Sequence, residues 1–93
     1  MCVLAVFLDA LPGLPLAIAA NRDESPGRPA EGPRVLAAGI VGGRDLLGGG
    51  TWLAINRSGI VVAITNRHRP ARTAASWSRG QLVLEAARCT SLG

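Results

Sequence analysis

Hydrophobic positions along this chain come in short blocks, each closed by glycine, proline or charge. Residues 2–8 are apolar without interruption and rich in branched and aromatic side chains, which favours an extended strand. Asp9, Pro12, Gly13 and Pro15 then signal a turn, and residues 16–20 return as a second strand to make a hairpin. Neither strand alternates apolar with polar, so both faces of this hairpin are expected to be covered. Residues 21–34 hold Pro26, Gly27, Pro29, Gly32 and Pro33 and predict an irregular loop. Residues 35–41 read as a third strand, and residues 46–50 as a glycine-rich connection. A hairpin is predicted over residues 51–56 and 60–65, with Gly59 closing its Arg57-Ser58-Gly59 loop in a left-handed position. Ser76 or Ser78 is predicted to cap a helix reaching about Cys89, with Leu82, Leu84 or Glu85, and Ala86 setting its face.

The expected fold class is therefore α+β, mainly antiparallel hairpins followed by one helix. An apolar sheet covered on both faces needs a second layer, and the five expected strands and one helix supply little more than half of it. The expectation is a single incomplete domain over residues 1–93, the first part of a larger one. It should expose apolar sheet surface and tend to self-associate.

Composition narrows the function classes. Hydrophobic residues make up 48% of the chain, too many for a disordered segment. The basic residues are all arginine and the net charge is +4, but the arginines are spread from Arg22 to Arg88. The one dense run, residues 67–72, has no interleaved aromatics to stack on bases, which argues against nucleic-acid binding. Cys2 and Cys89 have neither disulfide-framework nor metal-ligand spacing, so no metal site is expected and a reducing, cytoplasmic setting is. The first twenty residues lack a basic leader and are broken by Asp9, Pro12 and Pro15, against a signal peptide or a membrane span.

The candidate chemistry gathers around Cys2 and the polar stretch Asn21-Arg22-Asp23-Glu24. Removal of Met1 would place a thiol and an α-amine on one Cα, the amine able to act as base at neutral pH. The competing reading of Cys2 is a small buried hydrophobe. Arg22 near Cys2 would favour the thiolate, and the Asp23 carboxylate could hold or orient the amine. The same residues also suit a capped turn with a surface Arg–Asp pair. Adjacent strand residues point to opposite faces, so Arg22 and Asp23 serve one site only if the backbone bends there. Asn66, at a strand end, could donate to an oxyanion or be a turn residue. The glycine stretches fail the phosphate-loop template, because Gly49-Gly50 stands where Lys-Ser/Thr is required.

Met1-Cys2, Ala20-Asn21-Arg22-Asp23-Glu24, Gly43-Arg44-Asp45, Gly49-Gly50-Thr51-Trp52-Leu53, Thr65-Asn66-Arg67 and Ser78-Arg79-Gly80-Gln81-Leu82-Val83 occur in that order. As an ordered set they resemble the NRDE family, also called the Transport and Golgi organisation protein 2 family. That family is similar to N-terminal-nucleophile hydrolases of the choloylglycine hydrolase and penicillin V acylase group. The resemblance implies an αββα sandwich, of which this chain would be the N-terminal part, since family members are much longer. It implies Cys2 as nucleophile on a non-peptide amide, Arg22 and Asp23 in support, and Asn66 at the oxyanion. Asn21, Trp52 and Arg67, from the same motifs, are candidate substrate-binding residues. The chain departs from the hydrolase pattern in having Arg22 and Asp23 adjacent, where those enzymes set two residues between them. The alternative that the family implies is a non-catalytic carrier or trafficking protein for haem or another hydrophobic ligand. In either case the partner is a small molecule, with no cofactor required and the oligomeric state open.

Overall fold

The computed structural model describes residues 3–22, 25–65 and 79–92. Six strands and one helix follow in the order β1 (Leu4–Leu11), β2 (Leu14–Ala20), β3 (Ala30–Ala37), β4 (Ile40–Asp45), β5 (Leu53–Asn56), β6 (Val61–Ala63) and α1 (Arg79–Ala86). Strands β1 and β2 form a two-stranded antiparallel sheet, and β3-β4-β5-β6 a four-stranded antiparallel one. The class is α+β, as the hydrophobic pattern predicts.

The first hairpin turns on Pro12-Gly13, between the paired Leu11 and Leu14, so its strands run further than residues 8 and 16. Asp9 stays inside β1 at a bulge, with a φ of 51° and the register slipping between Leu8 and Leu11. An extra residue there lets a polar side chain sit in a strand without ending it.

Two expectations are corrected in the middle of the chain. The apolar run over residues 35–41 is not one strand but a hairpin, with β3 turning into β4 between the paired Ala37 and Ile40. Gly39 takes a φ of 74°, a conformation open to glycine, while the apolar character continues across the turn and hides it. Residues 30–34, expected in a loop, belong to β3. Gly32 and Pro33 fit because β3 is an edge strand, and they lie at the register shift between Glu31 and Arg34. The β5–β6 hairpin is as predicted, though shorter at its outer ends. Gly59 has a φ of 81°, Gly59 N donates to Asn56 O at 3.0 Å, and Asn56 N to Ile60 O at 3.0 Å.

Helix α1 packs on one face of the four-stranded sheet. Ile40, Ala54, Val83 and Ala87 form the buried core, with Leu36, Val62, Ile64 and Leu84 against it. The predicted helix face is corrected in part: Leu84 packs against the core as expected, but Val83 and Ala87, four apart, are the buried residues and Leu82 is exposed. The helix ends at Ala86, earlier than expected, and Arg88 N and Cys89 N then bond three residues back, to Glu85 O and Ala86 O. The expected caps Ser76 and Ser78 lie outside the described residues.

The opposite face of the sheet carries a transverse apolar row, Val35–Val41–Ile55–Val61, in register across all four strands. Leu16 and Ile18 of β2 approach it and, with Leu53, Ile55 and Val61, line an open groove of about 190 Å³. The helix covers one face of the four-stranded sheet, whereas on the other Val35, Val41 and Ile55 are exposed and the hairpin comes near only through Leu16 and Ile18. The hairpin's apolar faces are exposed in the described structure, with Val6, Phe7, Leu8 and Leu16 all open to solvent. The expectation that both faces are covered is not met among the described residues, and the expected exposed apolar sheet surface is present. Among them, no helix is long and apolar enough to cross a membrane.

Candidate functional site

The end of β2 is tied back to the start of β1. Asn21 N donates to Val3 O at 3.1 Å, and Val3 N donates to Asn21 Oδ1 at 2.5 Å. Asn21 therefore holds both backbone polar groups of Val3, the residue following Cys2. Arg22 then crosses to the four-stranded sheet. Its Cζ lies over the Trp52 ring, 4.6 Å from the centroid, and its Nη2 is 3.7 Å from Asp45 Oδ1. A guanidinium over an indole face is attracted by the ring quadrupole, the more so when partly desolvated.

Backbone geometry prepares this position. Gly43 and Asp45 point to the same side of β4, and the six-membered ring of Trp52 occupies the space that a side chain at 43 would fill. The connection from β4 to Trp52 is closed by Asp45 N to Gly50 O and Gly49 N to Asp45 O, both at 2.8 Å. Thr51 is buried. Its hydroxyl donates to Leu53 O at 3.0 Å, and its amide reaches Gly80 O of the helix at 3.3 Å. The helix start packs onto this connection, because a Cβ on Gly80 would lie 3.0 Å from Gly50 Cα.

Asp45 is the anchor of the cluster. Arg28 grips its carboxylate through Nη2 at 2.6 Å and Nε at 3.2 Å, and Leu47 N donates to Oδ1 at 3.1 Å. All three charged side chains are largely buried, with exposures of 22% for Arg22, 20% for Arg28 and 17% for Asp45. The Arg28 hydrogen bond holds the Asp45 carboxyl below the ordinary aspartate range. Burial opposes this, and the Gly48 and Leu47 amides and the Arg28 charge assist it. A carboxyl lowered in the folded state contributes stability above its unfolded value of about 3.9, and that contribution is lost as pH falls through the folded value. Thermal melts between about pH 2 and 7 are expected to show a steeper acid loss of stability in the native chain than in Asp45→Asn.

With this geometry in place, relatives can be compared. A family model described as Transport and Golgi organisation 2 matches residues 1–91. The chain belongs to that family. No curated protein and no solved structure matches it. Of the residues that likeness to the Transport and Golgi organisation 2 family singles out, Arg22 and Trp52 are in direct contact. Asn21 spends its side-chain oxygen on Val3. Cys2, Asp23, Asn66 and Arg67 lie outside the described residues. Two members of the cluster were missed as site residues by sequence reasoning, Arg28 and Asp45. Asp45 stood inside a quoted motif, whereas Arg28 carried no signal beyond its charge. Among the described residues no group of three or more His, Cys, Asp or Glu gathers as a metal site would require.

Proposed function

We propose that this member of the Transport and Golgi organisation 2 family is a cysteine N-terminal-nucleophile hydrolase acting on a non-peptide amide bond. After Met1 is removed, the Cys2 α-amine takes the thiol proton and the sulfur attacks the amide carbonyl carbon. The tetrahedral oxyanion collapses, the C–N bond breaks, and the departing amine takes the proton from the α-ammonium. Water, deprotonated by the same amine, then cleaves the acyl-thioester and releases a carboxylic acid. Arg22 favours the thiolate, Asp23 orients the amine and Asn66 donates to the oxyanion, while Asn21, Trp52 and Arg67 border the substrate. The reading includes a reducing, cytoplasmic setting that keeps the thiol free.

The observation that carries this reading is the link from Val3 through Asn21 to Arg22. Asn21 holds the backbone of the residue bonded to Cys2, and its neighbour Arg22 is a largely buried cation kept in place by Trp52 and Asp45. A fixed cation beside a thiol raises its thiolate fraction. Intact-mass measurement is expected to show loss of Met1, and Cys2 is expected to alkylate faster than Cys89, which is exposed. Retained Met1, or equal rates at the two cysteines, would defeat the proposal.

A carrier of haem or another hydrophobic ligand is the second reading, and the apolar groove of Leu16, Ile18, Leu53, Ile55 and Val61 is what favours it. Its 190 Å³ is below the roughly 300 Å³ at which ligand pockets begin, which places this reading behind the first. Saturable haem binding that survives Cys2→Ala would reverse the order.

A further inference from the structure

We propose that the β1–β2 hairpin is a detachable flap that opens as a unit ahead of the rest of the fold, with Arg22 as its latch.

Burial is divided unequally between the two sheets. Ile40, Ala54, Val83 and Ala87 make the core, and Leu36, Ala37, Val62, Ile64 and Leu84 pack around it. All of these lie from Leu36 onward, and no residue of β1 or β2 is buried. The two sheets share no hydrogen-bonded ladder. Strand register sets Val6 opposite Ile18 and Leu8 opposite Leu16, on the hairpin face that meets the four-stranded sheet. Leu16 and Ile18 reach the groove, yet Val6 and Leu8 beside them are exposed. The apolar contact is thus confined to one strand of the hairpin.

Within itself the hairpin is bonded along its length. Pairing runs from Leu4 with Ala20 to Leu11 with Leu14, and two hydrogen bonds between Val3 and Asn21 close the open end. A two-stranded hairpin is at best marginally stable alone. Internal pairing without a share in the core makes a cooperative unit of low stability, the kind that opens locally.

Arg22 fastens that unit. It follows Asn21 directly, and its guanidinium lies over Trp52 and beside Asp45. Further along, the chain is anchored again by Arg28, 2.6 Å from the same carboxylate. Release of Arg22 therefore frees the hairpin while Arg28 still holds the segment leading into β3. Opening lifts Leu16 and Ile18 from Leu53, Ile55 and Val61, and so gives an apolar ligand a side entry to the groove.

Hydrogen exchange of the full chain near neutral pH, read by mass spectrometry, tests this. Hairpin peptides are expected to show protection at least about tenfold below those of β4, β5 and α1, with their amides exchanging together. Arg22→Gln should lower hairpin protection by a further factor of about ten and leave β4, β5 and α1 unchanged. Arg22→Lys, which keeps the charge but loses the planar stack, should fall between. Equal protection in the hairpin and in β4 and β5 overturns the flap. An Arg22→Gln chain that loses protection throughout, or does not fold, overturns it too, because the core should not need the latch. Low hairpin protection that neither variant changes overturns the role of Arg22.

Discussion

Gly50→Ala is expected to lower the melting temperature by on the order of 15 °C. A Cβ at this position would fall directly on the Gly80 carbonyl carbon, with Gly80 Cα at 2.6 Å and Gln81 N at 2.7 Å. Every obstructing atom is backbone, so no side chain can swing aside. The helix must instead move off the connection that leads to Trp52. Overpacking of this kind costs about 3 kcal/mol, and in a domain of this length each kcal/mol lowers the midpoint by about 4–8 °C. The core it disturbs is small, four buried residues among the described ones, of which Val83 lies on the helix and Ala87 just past its end.

Two companion substitutions make the result specific. Gly43→Ala meets the Trp52 ring, which can rotate away, so a milder loss of stability with changed tryptophan fluorescence is expected. Gly27→Ala meets nothing within 4 Å and should melt like the native chain. Equal midpoints for Gly50→Ala and Gly27→Ala would show that the helix does not pack as described.

The second large effect is expected at Asn56, which joins two distant parts of the fold. Its Nδ2 donates to Ala87 O at 2.8 Å and Cys89 O at 2.6 Å, beyond the end of the helix. Its Oδ1 accepts from Ser58 N at 2.9 Å and Ile60 N at 3.0 Å, bracing the β5–β6 turn. At about 0.5–1.5 kcal/mol for each bond, and with part of the group solvated, Asn56→Ala should cost roughly 2–4 kcal/mol.

Asn56→Asp keeps the turn acceptors but sets a carboxylate against two carbonyl oxygens at the negative end of a helix. That carboxyl would titrate above its unfolded value in the folded chain. Its protonated form, able to donate again, is the one the fold favours. The variant should therefore recover stability relative to the native chain as pH falls, the reverse of the behaviour expected for Asp45. Chemical denaturation of both variants near neutral and acid pH checks this, and an Asn56→Asp variant as stable as native at neutral pH would contradict it.

Elements were legible where local chemistry alone sets the backbone. Pro12-Gly13 and Gly59 turned the chain where expected, because proline and glycine restrict or free φ whatever surrounds them. The β3–β4 hairpin was missed for the opposite reason. Ala38-Gly39 interrupts no apolar pattern, and Gly32 and Pro33 look like loop until the strand that holds them proves to be an edge with a bulge. The helix face was legible at Leu84 but misplaced at Leu82, the larger hydrophobe, because Val83 and Ala87 are the residues that join Ile40 and Ala54 in the core.

By itself the sequence determined the α+β class, the antiparallel hairpins and the ordered motifs that mark the Transport and Golgi organisation 2 family. These rest on side-chain branching, turn residues and motif order, all properties of short segments. Only the tertiary structure decided that Arg22 lies over Trp52, that Asp45 stands between Arg22 and Arg28, and that Gly50 must stay bare because Gly80 passes against it. Those contacts join segments far apart in the chain. They depend on strand register and on the approach of the helix, which no local preference encodes.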